Sequence, residues 1–429
     1  MKRTKDLRVL LVAHHANPEL TSEPLIGWRW AKELDRRTNL RLITHVRNRR
    51  AIEAAGGLRG EVLYVETERL ARNVNQINDL LFPCSGSVNR LLLETIAQRS
   101  FDRHAVRIAK ALVERGEVDL IHRVSPISPR YPSALGTLGV PFLIGPINGG
   151  LHVPPGFDKE GGFALHRLRS LSRLLDPLAR TMTSADTIFV ANEVTRRCLP
   201  KKVQDKCLVL SENAVEIDRF ALETERAPGP LRLLYLGRLL RYKGVQYVLE
   251  AMRRLPAGLD LQLRVVGDGS YRRELEALAR AAGLQDRVRF DGWITHDKVA
   301  GAMRECDVFV LPSVRESGGS VVLEAMAAGK PVLVADHGGP SETVRPEVGL
   351  KLSCESEEQL ITGLVRSIAH LNFNEPRRLR MGRAARELVE ETYTWQAKAD
   401  RAIEAYRSAL AKRRYGAGAP ALQPALGTI

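Results

Sequence analysis

The chain has 429 residues, of which 44% are hydrophobic and 27% are charged. This balance excludes a mainly disordered chain, and the length predicts two or three domains, with two of about 200 residues as the natural division. No apolar run approaches the roughly 18 to 20 residues that cross a bilayer, and the run after the basic amino terminus is too short for a signal-peptide core. We therefore expect a cytoplasmic protein.

The charge is the unusual feature of the composition. Lys and Arg number 65 against 50 Asp and Glu, a net charge of +15. Nucleic acid, an anionic membrane surface or a phosphorylated substrate would each suit such an excess. The five cysteines are scattered and form no CxxC pair, so neither a disulfide framework nor a zinc site is expected.

Short apolar runs that alternate with helical patterns predict an α/β fold. The predicted strands are 8–13, 40–45, 118–121, 141–144, 187–191 and 207–210, then 231–236, 261–266, 288–290, 308–311 and 332–334. A helix is predicted from Trp28. The polar stretch 213–230 ends in Pro-Gly-Pro, which is typical of a linker. Two consecutive domains are therefore favoured over a single large doubly wound sheet.

The predicted boundaries follow from these patterns. Residues 1–212 form the first domain, 213–230 the linker and 231–390 the second domain. A polar helical stretch covers 391–411, and the Gly/Ala/Pro-rich tail 412–429 is expected to be disordered.

The first motif is LYLGRLLRYKG, residues 234–244. A buried strand ends at Gly237, and Arg238 and Lys243 follow in the loop. Loops at the carboxyl ends of strands bind ligands in α/β sheets, and two cations there would suit a diphosphate. The alternative is a strand–turn–helix with two solvated cations.

The second motif is VLPSVRESGGSVVLEAMAAGKPVL, residues 310–333. A loop with Glu316, Gly318 and Gly319 leads into a helix from about Ser320, where backbone N–H groups favour an anion. Glu324 lies one turn further on, and carboxylates accept hydrogen bonds from sugar hydroxyls. One site would thus hold phosphate and polyol. The alternative is two glutamates on a surface helix.

Together these motifs resemble retaining glycosyltransferase family 4, whose GT-B fold has two facing Rossmann-like domains with a cleft between them. The E-x7-E pattern runs from Glu316 to Glu324, and Gly-Arg-Leu-x-x-x-Lys-Gly from Gly237 to Gly244. VVGDGS (265–270), VRFDGWI (288–294), DVFVLPS (307–313) and ENAVEIDRF (212–220) fit in order and spacing. The stretch 393–406 resembles the family's closing helix, which implies that it packs back on the N-terminal domain.

The resemblance assigns a donor-binding set in the second domain: Gly237, Arg238, Lys243, Trp293, Gly318, Gly319, Ser320 and Glu324. Arg238 and Lys243 would bind the donor diphosphate and stabilise the leaving nucleotide. Glu324 would hold the ribose and Glu316 the transferred sugar. Trp293 would lie near the base, or pack in the core. Since the cations neutralise the leaving charge, no metal and no cofactor are expected.

Three departures from the family pattern concern other parts of the site. Gly318 stands where the family has a bulky aromatic residue, and we expect either a looser loop or a reshaped sugar pocket. The loop after the first strand has only Gly27 in place of a glycine pair, so Gly27 is an uncertain phosphate or acceptor contact. His122 begins His-Arg-Val where many members have His-x-His. It is either a catalytic candidate or buried structure.

Two further segments are acceptor-side or membrane candidates. The stretch 141–157 resembles a Gly-Pro-x-x-Gly-Gly loop and offers Asn148, Gly149 and His152 to an acceptor, unless its glycines only form a turn. The basic stretch 165–202 is amphipathic. It predicts either a core-facing helix with a solvated basic face or a surface for anionic lipid.

The expected function is retaining transfer of a sugar to an acceptor hydroxyl, in bacterial cell-surface glycan or glycolipid synthesis. The expected catalytic residues are Glu316, His122, Arg238 and Lys243. The expected donor is a UDP-sugar, with a GDP-sugar as the alternative, and the acceptor is a glycan, a lipid-linked sugar or a small molecule. The enzyme would be cytoplasmic, with attachment to the inner face of the membrane left open.

Four alternative functions fit some of these features. A secondary-metabolite transferase and a catalytically impaired relative that binds nucleotide sugars both fit the motifs. A GT-B epimerase or phosphorylase fits less well, because E-x7-E favours a nucleotide-sugar donor. Nucleic acid is disfavoured as a partner, since the aromatic fraction is 5% and no binding motif is found.

Overall fold

The computed structural model describes residues 4–67, 88–150, 153–157, 176–222, 229–256 and 258–415. These residues form two compact units. The first comprises the described residues up to Gly149, those from His166 to Glu212 and those from Lys398 onward; the second comprises those from Gly150 to Leu165 and from Asn213 to Ala397.

A parallel sheet of seven strands forms the centre of the first unit, in the order β3-β2-β1-β4-β5-β6-β7. Its strands are β1 Arg8–Ala13, β2 Asn39–His45, β3 Glu61–Val65, β4 Leu120–Ser125, β5 Phe142–Ile147, β6 Thr187–Val190 and β7 Cys207–Val209. Strands β4 and β5 are buried along their whole length. This is expected of parallel strands that helices cover on both faces.

Among the described residues up to Glu212, the α-helices of this unit are α1 Glu23–Arg37, α2 Arg49–Ala54, α3 Val88–Glu114, α4 Asp176–Ser184, α5 Glu193–Cys198 and α6 Lys201–Gln204. The predicted helix at Trp28 therefore begins five residues earlier, at Glu23. Pro24 occupies its first turn, where a missing N–H costs no hydrogen bond.

The second unit is built on a parallel sheet of six strands in the order β10-β9-β8-β11-β12-β13. The strands are β8 Leu231–Leu236, β9 Leu261–Val266, β10 Val288–Gly292, β11 Val308–Leu311, β12 Val332–Ala335 and β13 Gly349–Leu352. The helices are α7 Val245–Arg254, α8 Arg272–Ala281, α9 His296–Glu305, α10 Ser320–Ala327, α11 Gly338–Thr343, α12 Glu357–Phe373 and α13 Glu375–Leu388.

The structure has two separate sheets, so the single-sheet alternative is wrong, and most predicted strands are confirmed. Strands 231–236, 261–266 and 308–311 match to the residue. Two edge strands, β3 and β13, were not predicted, and both are only partly buried. The strand predicted at 118–121 begins two residues and ends four residues before β4, because β4 continues through the buried polar residues His122, Arg123 and Ser125.

The predicted linker is partly wrong. Residues 213–222 pack within the second unit: the Val215 N–H donates to the Tyr393 carbonyl at 2.9 Å, and Phe220 is buried. A π-helical turn, Val389–Tyr393, leads to the last helix, α14 Trp395–Tyr415. This helix extends four residues beyond the predicted end at 411.

Parts of the predicted tail and basic helix lie outside the described residues. These are 416–429 of the tail, 165–175 of the basic stretch and 223–228 of the linker. Among the helices that the structure describes, none has the length and apolar content needed to span a bilayer.

Candidate active site

The strand order of the second unit creates a topological switch point between β8 and β11. The chain runs outward to β9 on one side of β8 and to β11 on the other. In open parallel sheets the loops that leave such a point at the carboxyl ends form the ligand crevice. Here those loops are residues 237–244 and 312–319, so both sequence motifs converge on one place.

A close backbone approach fixes these two loops to each other. Gly244 has φ +82°, and a Cβ there would overlap the carbonyl oxygen of Pro312. The Val314 N–H donates to the Tyr242 carbonyl at 3.0 Å. Because Gly244 tolerates both the left-handed backbone and the contact, the two loops keep a constant spacing.

Lys243 and Glu316 form an ion pair across this junction. Their side chains are 12% and 17% exposed, so the pair is largely shielded from water. The Lys243 ammonium also lies 5.7 Å from the centre of the Tyr242 ring. The cation and the carboxylate predicted to hold phosphate and sugar are therefore adjacent and mutually oriented.

Arg238 is the more exposed of the two predicted cations. Its carbonyl accepts a hydrogen bond from the Tyr235 hydroxyl at 2.9 Å, which holds the backbone after Gly237. Burial raises the pKa of Tyr235, with the Glu316 charge as a further cause, so this hydroxyl keeps its proton. Arg238 is thus a solvent-facing guanidinium on a fixed backbone.

The loop before α10 is held firmly, contrary to the looseness expected from Gly318. The Gly339 N–H donates to the Glu316 carbonyl at 3.1 Å, and Gly339 packs directly on the Ser317 carbonyl. Gly319 has φ +54°, and a Cβ there would lie 2.7 Å from Pro340 Cγ. The start of α11 thus supports the loop where the family's aromatic residue is missing.

Helix α10 begins at Ser320, which is exposed at the mouth of the crevice. Gly319 precedes it in the left-handed conformation, so the first N–H groups of the helix are directed toward the loop of Glu316. Helix amino termini attract anions through these groups. The backbone contacts of Gly319 and Ser320 with a donor stay a prediction.

Glu324 is a half-buried carboxyl group on α10. Burial raises its pKa to about 7, and the positive charge of Arg219 opposes this shift. Arg219 itself donates to the His296 carbonyl at 2.9 Å. Arg219 lies in the motif 212–220 but has no role predicted from it, since its proximity to Glu324 comes only from the tertiary fold.

Trp293 follows β10, and the core-packing alternative for it is wrong. Its side chain is 73% exposed. Gly292 before it has φ +75°, which directs the chain away from the sheet. An exposed indole at the carboxyl edge of the sheet is available for stacking.

The structure places His122 in the core of the first unit. The ring is fully buried and lies between Trp30, Phe189 and Tyr406. Its Nε2 donates to the Gly145 carbonyl at 2.7 Å, and its Nδ1 accepts from the Tyr406 hydroxyl at 2.6 Å. Burial lowers its pKa to about 4. Both nitrogens are satisfied within the protein, which is the buried structural alternative and not the catalytic one.

The remaining first-unit candidates have mainly structural contacts. Gly27 lies on α1, where a Cβ would overlap the His15 carbonyl oxygen. Asn148 Nδ2 donates to Glu212 Oε2 at 2.6 Å, and Gly149 exchanges hydrogen bonds with the Thr195 hydroxyl. His152 lies outside the described residues.

A metal site was not expected, and the structure offers no candidate in the part that it describes. Within those ranges no group of three or more His, Cys, Asp or Glu side chains could hold a metal ion. The basic residues of the two crevice loops are Arg238, Arg241, Lys243 and Arg315.

Comparison with known proteins bears on the second unit in particular. Residues 218–388 match the model of the family described as glycosyl transferases group 1. This range contains both motifs and the whole switch point.

Curated relatives are similar over a comparable length. An uncharacterized glycosyltransferase of Methanocaldococcus jannaschii is 32% identical over 179 residues, 42% of this chain and 45% of the relative. The 2-deoxystreptamine glucosyltransferase of Streptomyces kanamyceticus is 32% identical over 197 residues, which are 46% of this chain and 49% of the relative. The lipopolysaccharide core biosynthesis glycosyltransferase LpsE of Rhizobium meliloti is 33% identical over 200 residues, which are 46% of this chain and 54% of the relative. The chain thus spans about half the length of the curated relatives it matches.

Solved structures match nearly the whole chain and establish the fold. Sucrose-phosphate synthase from Thermosynechococcus elongatus has a TM-score of 0.58 at 21% identity, covering 94% of this chain and 98% of its own. Anabaena HepE in complex with UDP has a TM-score of 0.60 at 17% identity, covering 94% and 100%. WaaG, a glycosyltransferase involved in lipopolysaccharide biosynthesis, has a TM-score of 0.55 at 18% identity, and the match covers 93% of this chain and 99% of WaaG. The expected GT-B class, with two Rossmann-like domains, is confirmed.

Proposed function

We propose that this chain is a retaining glycosyltransferase of family 4 that moves a sugar from a nucleotide-sugar donor to an acceptor hydroxyl. The observation that carries the proposal is the Lys243–Glu316 pair at the switch point, with Glu324 and the start of α10 beside it. A phosphate-binding cation and a hydroxyl-binding carboxylate meet there. The match of residues 218–388 to glycosyl transferases group 1 supports the same conclusion.

In this proposal residues 231–390 bind the donor. Lys243 and Arg238 contact the diphosphate, and the N–H groups at Gly319 and Ser320 add to the positive field. Glu316 accepts hydrogen bonds from the transferred sugar and Glu324 from the ribose. Trp293 stacks near the base. Residues 1–212 bind the acceptor, and helix α14 packs on them.

The chemical step needs no covalent intermediate on the protein. The bond between the anomeric carbon and the diphosphate oxygen breaks while the acceptor oxygen bonds to the same face of the sugar. The departing phosphate takes the proton of the acceptor hydroxyl, and the nucleoside diphosphate leaves. Lys243 and Arg238 stabilise the charge that develops on the leaving group. We therefore propose turnover without a metal.

The proposed nucleotide is uridine diphosphate. The Anabaena HepE structures include complexes with UDP and with UDP-glucose, and they share the fold of this chain. A GDP-sugar is the alternative, because the motifs of the second unit contact the diphosphate and ribose more than the base.

The proposed acceptor belongs to cell-surface glycan or glycolipid synthesis, since one relative is named for the lipopolysaccharide core. The 2-deoxystreptamine relative favours a small-molecule acceptor as the second candidate. The proposed place of action is the cytoplasm or the inner face of the membrane. In the first unit Lys and Arg clearly outnumber Asp and Glu, which would favour an anionic surface.

Thermal stabilisation by nucleotides tests the proposal. A ligand that binds only the native state raises the melting temperature by mass action. We expect UDP to raise it more than GDP or ADP, and the shift to be lost in Glu324→Ala. EDTA should leave transfer from a UDP-sugar panel unchanged, and NMR of the product should show the donor's anomeric configuration. An inverted product, or no shift with any nucleotide, would contradict the proposal, and binding without transfer would favour an impaired relative.

A further inference from the structure

The first unit has its own switch point, between β1 and β4, and basic side chains collect there. The chain passes from β1 to β2 on one side and to β4 on the other. We define the histidine cluster as the residues in mutual contact at this edge: His14, His15, His45, Arg47 and Gln98. None of these residues is used by the proposed donor site.

Three members of the cluster form a triangle of close contacts. His14 Nδ1 lies 3.1 Å from His15 Nε2. An Arg47 Nη2 lies 3.3 Å from His14 Nε2 and 3.2 Å from His15 Nδ1. Each neutral imidazole has one N–H and one acceptor nitrogen, whereas a guanidinium only donates.

The donors around His14 outnumber the acceptors. His14 Nδ1 lies 2.6 Å from Gln98 Nε2 and 3.1 Å from His15 Nε2, so it acts as the acceptor and the proton of the neutral ring is on Nε2. Arg47 Nη2 lies almost equally far from both ring nitrogens of His14, at 3.4 and 3.3 Å, and a guanidinium only donates. Arg47 therefore gives the His14 Nε2–H no acceptor, and an acceptor oxygen placed beside them would accept from both groups.

The electrostatics of the cluster favour a negative ligand. Burial is the main cause that lowers the pKa of His14 well below its usual value and that of His15 to about 4. Every charged side chain that adds to these shifts is itself basic: His15, Arg47 and His45 for His14, and Arg47 and His45 for His15. The rings are thus neutral donors in a positive field at neutral pH.

The cluster is held in place and open to solvent. The His15 N–H donates to the Ser125 hydroxyl at 3.0 Å, which links the loops after β1 and β4. Asn48 Nδ2 donates to the His14 carbonyl at 3.0 Å. Gly27 of α1 packs on the His15 carbonyl with no room for a Cβ. His15 is half-buried and Arg47 is exposed, so a ligand reaches the cluster without opening the core.

We propose that the histidine cluster binds an anionic group, a phosphate or carboxylate, carried by the acceptor. This inference rests on the proposed function, since it names the class of acceptor. The donor diphosphate already has Arg238 and Lys243 in the second unit, and the first unit holds the excess of basic residues. A sugar phosphate, a lipid phosphate or an acidic sugar fits this chemistry.

Calorimetric titration of the full chain with inorganic phosphate tests the inference, with saturating UDP present. We expect wild type to bind phosphate, and Arg47→Gln and His15→Gln to weaken it about tenfold or more, which corresponds to about 1.4 kcal/mol. Arg50→Gln, an exposed arginine on α2, is the matched control and should change the affinity less than about twofold. UDP affinity should remain the same in all variants. Melting curves establish that each variant is folded.

Four results would overturn the inference. The first is no phosphate binding with or without UDP. The second is phosphate binding that UDP abolishes, together with weaker UDP binding by Arg47→Gln, because the cluster would then hold the donor diphosphate. The third is an equal loss in Arg50→Gln, which would indicate diffuse attraction only. The fourth is phosphate binding that neither Arg47→Gln nor His15→Gln weakens. Failure of the proposed function is distinct, since wild type would then bind no nucleotide whatever its affinity for phosphate.

Discussion

Lys243 and Glu316 are 73 positions apart in the chain, and their side chains meet in an ion pair that is largely shielded from water. One residue ends the loop after β8, and the other lies in the loop after β11. In the proposed function, each charge satisfies the other until a donor supplies phosphate to Lys243 and hydroxyls to Glu316. Lys243 and Glu316 would then replace each other with ligand groups, so that neither charge is left unpaired in the crevice.

Replacement of Lys243 by Met should separate the two roles of this pair. It removes the cation that would stabilise the leaving diphosphate, and we expect kcat to fall about 10² to 10³-fold. It also leaves the Glu316 carboxylate shielded and unpaired, so the free energy of unfolding should fall by about 1 to 3 kcal/mol. Transfer kinetics and urea unfolding measure the two effects.

The surface pair Arg253–Glu250 provides the control. Arg253 is exposed, and Arg253→Met should change the free energy of unfolding by less than about 1 kcal/mol and leave kcat alone. A Lys243→Met enzyme with wild-type kcat would remove Lys243 from the chemistry.

Glu324→Gln should stabilise the protein while it weakens nucleotide binding. The carboxyl pKa is about 7 in the native state against an ordinary 4.5, so the native state binds more protons between these values. Stability present below pH 4.5 is therefore lost as pH rises through 7. At pH 8 the variant should be about 1 to 3 kcal/mol more stable than wild type, and at pH 4 nearly equal. UDP affinity should fall at least about tenfold, because a charged carboxylate is replaced by a neutral amide with a single acceptor oxygen for the ribose.

Unfolding at several pH values and UDP titration check this prediction. Glu391→Gln removes an exposed charge and should stay within about 0.5 kcal/mol of wild type at each pH. If Glu324→Gln were destabilising at pH 8, Glu324 would be part of a favourable network and not a desolvated ligand group.

The two loops of the proposed donor site could be predicted from the sequence, because each loop is one continuous segment and both follow strands of the same sheet. Buried parallel strands appear as apolar runs, and Gly244 and Gly319 mark the close approaches directly. The histidine cluster could not be predicted in this way. His14 contacts Arg47 and Gln98, which are 33 and 84 positions away, and nothing local indicates these contacts. The exposure of Trp293 could not be predicted for a related reason: its residue type favours burial, and the left-handed conformation of Gly292 before it is seen only in the structure.

Acid should destabilise the first unit through His122. Burial lowers its native pKa to about 4 from an ordinary 6.5, so the unfolded chain binds more protons between these values. The free energy of unfolding should then fall as pH drops from about 6.5 to 4, by up to about 3 kcal/mol from this residue. His122→Gln keeps a donor for Gly145 and an acceptor for Tyr406 but does not titrate. It should therefore reduce the slope of the free energy of unfolding against pH, between about pH 4 and 6.5, by the equivalent of about one proton.

Tyr406→Phe is the control for this effect, because it removes the hydrogen bond and leaves the histidine. It should lower stability by about 1 kcal/mol at all pH values and keep the wild-type slope. An unchanged slope in His122→Gln would mean that the acid response comes from other groups, such as His14 and His15.

Gly244→Ala should damage the site without touching a charged residue. The position has φ +82°, and the added methyl would overlap the Pro312 carbonyl, so the loops after β8 and β11 must separate. We expect a loss of about 1 to 3 kcal/mol in the free energy of unfolding and a fall in UDP affinity, since Lys243 moves away from Glu316. Gly301→Ala is the matched control: it lies within α9 with nothing near its Cβ, and should stabilise by about 0.5 to 1 kcal/mol. Equal behaviour of the two variants would show that the crevice does not depend on this close approach.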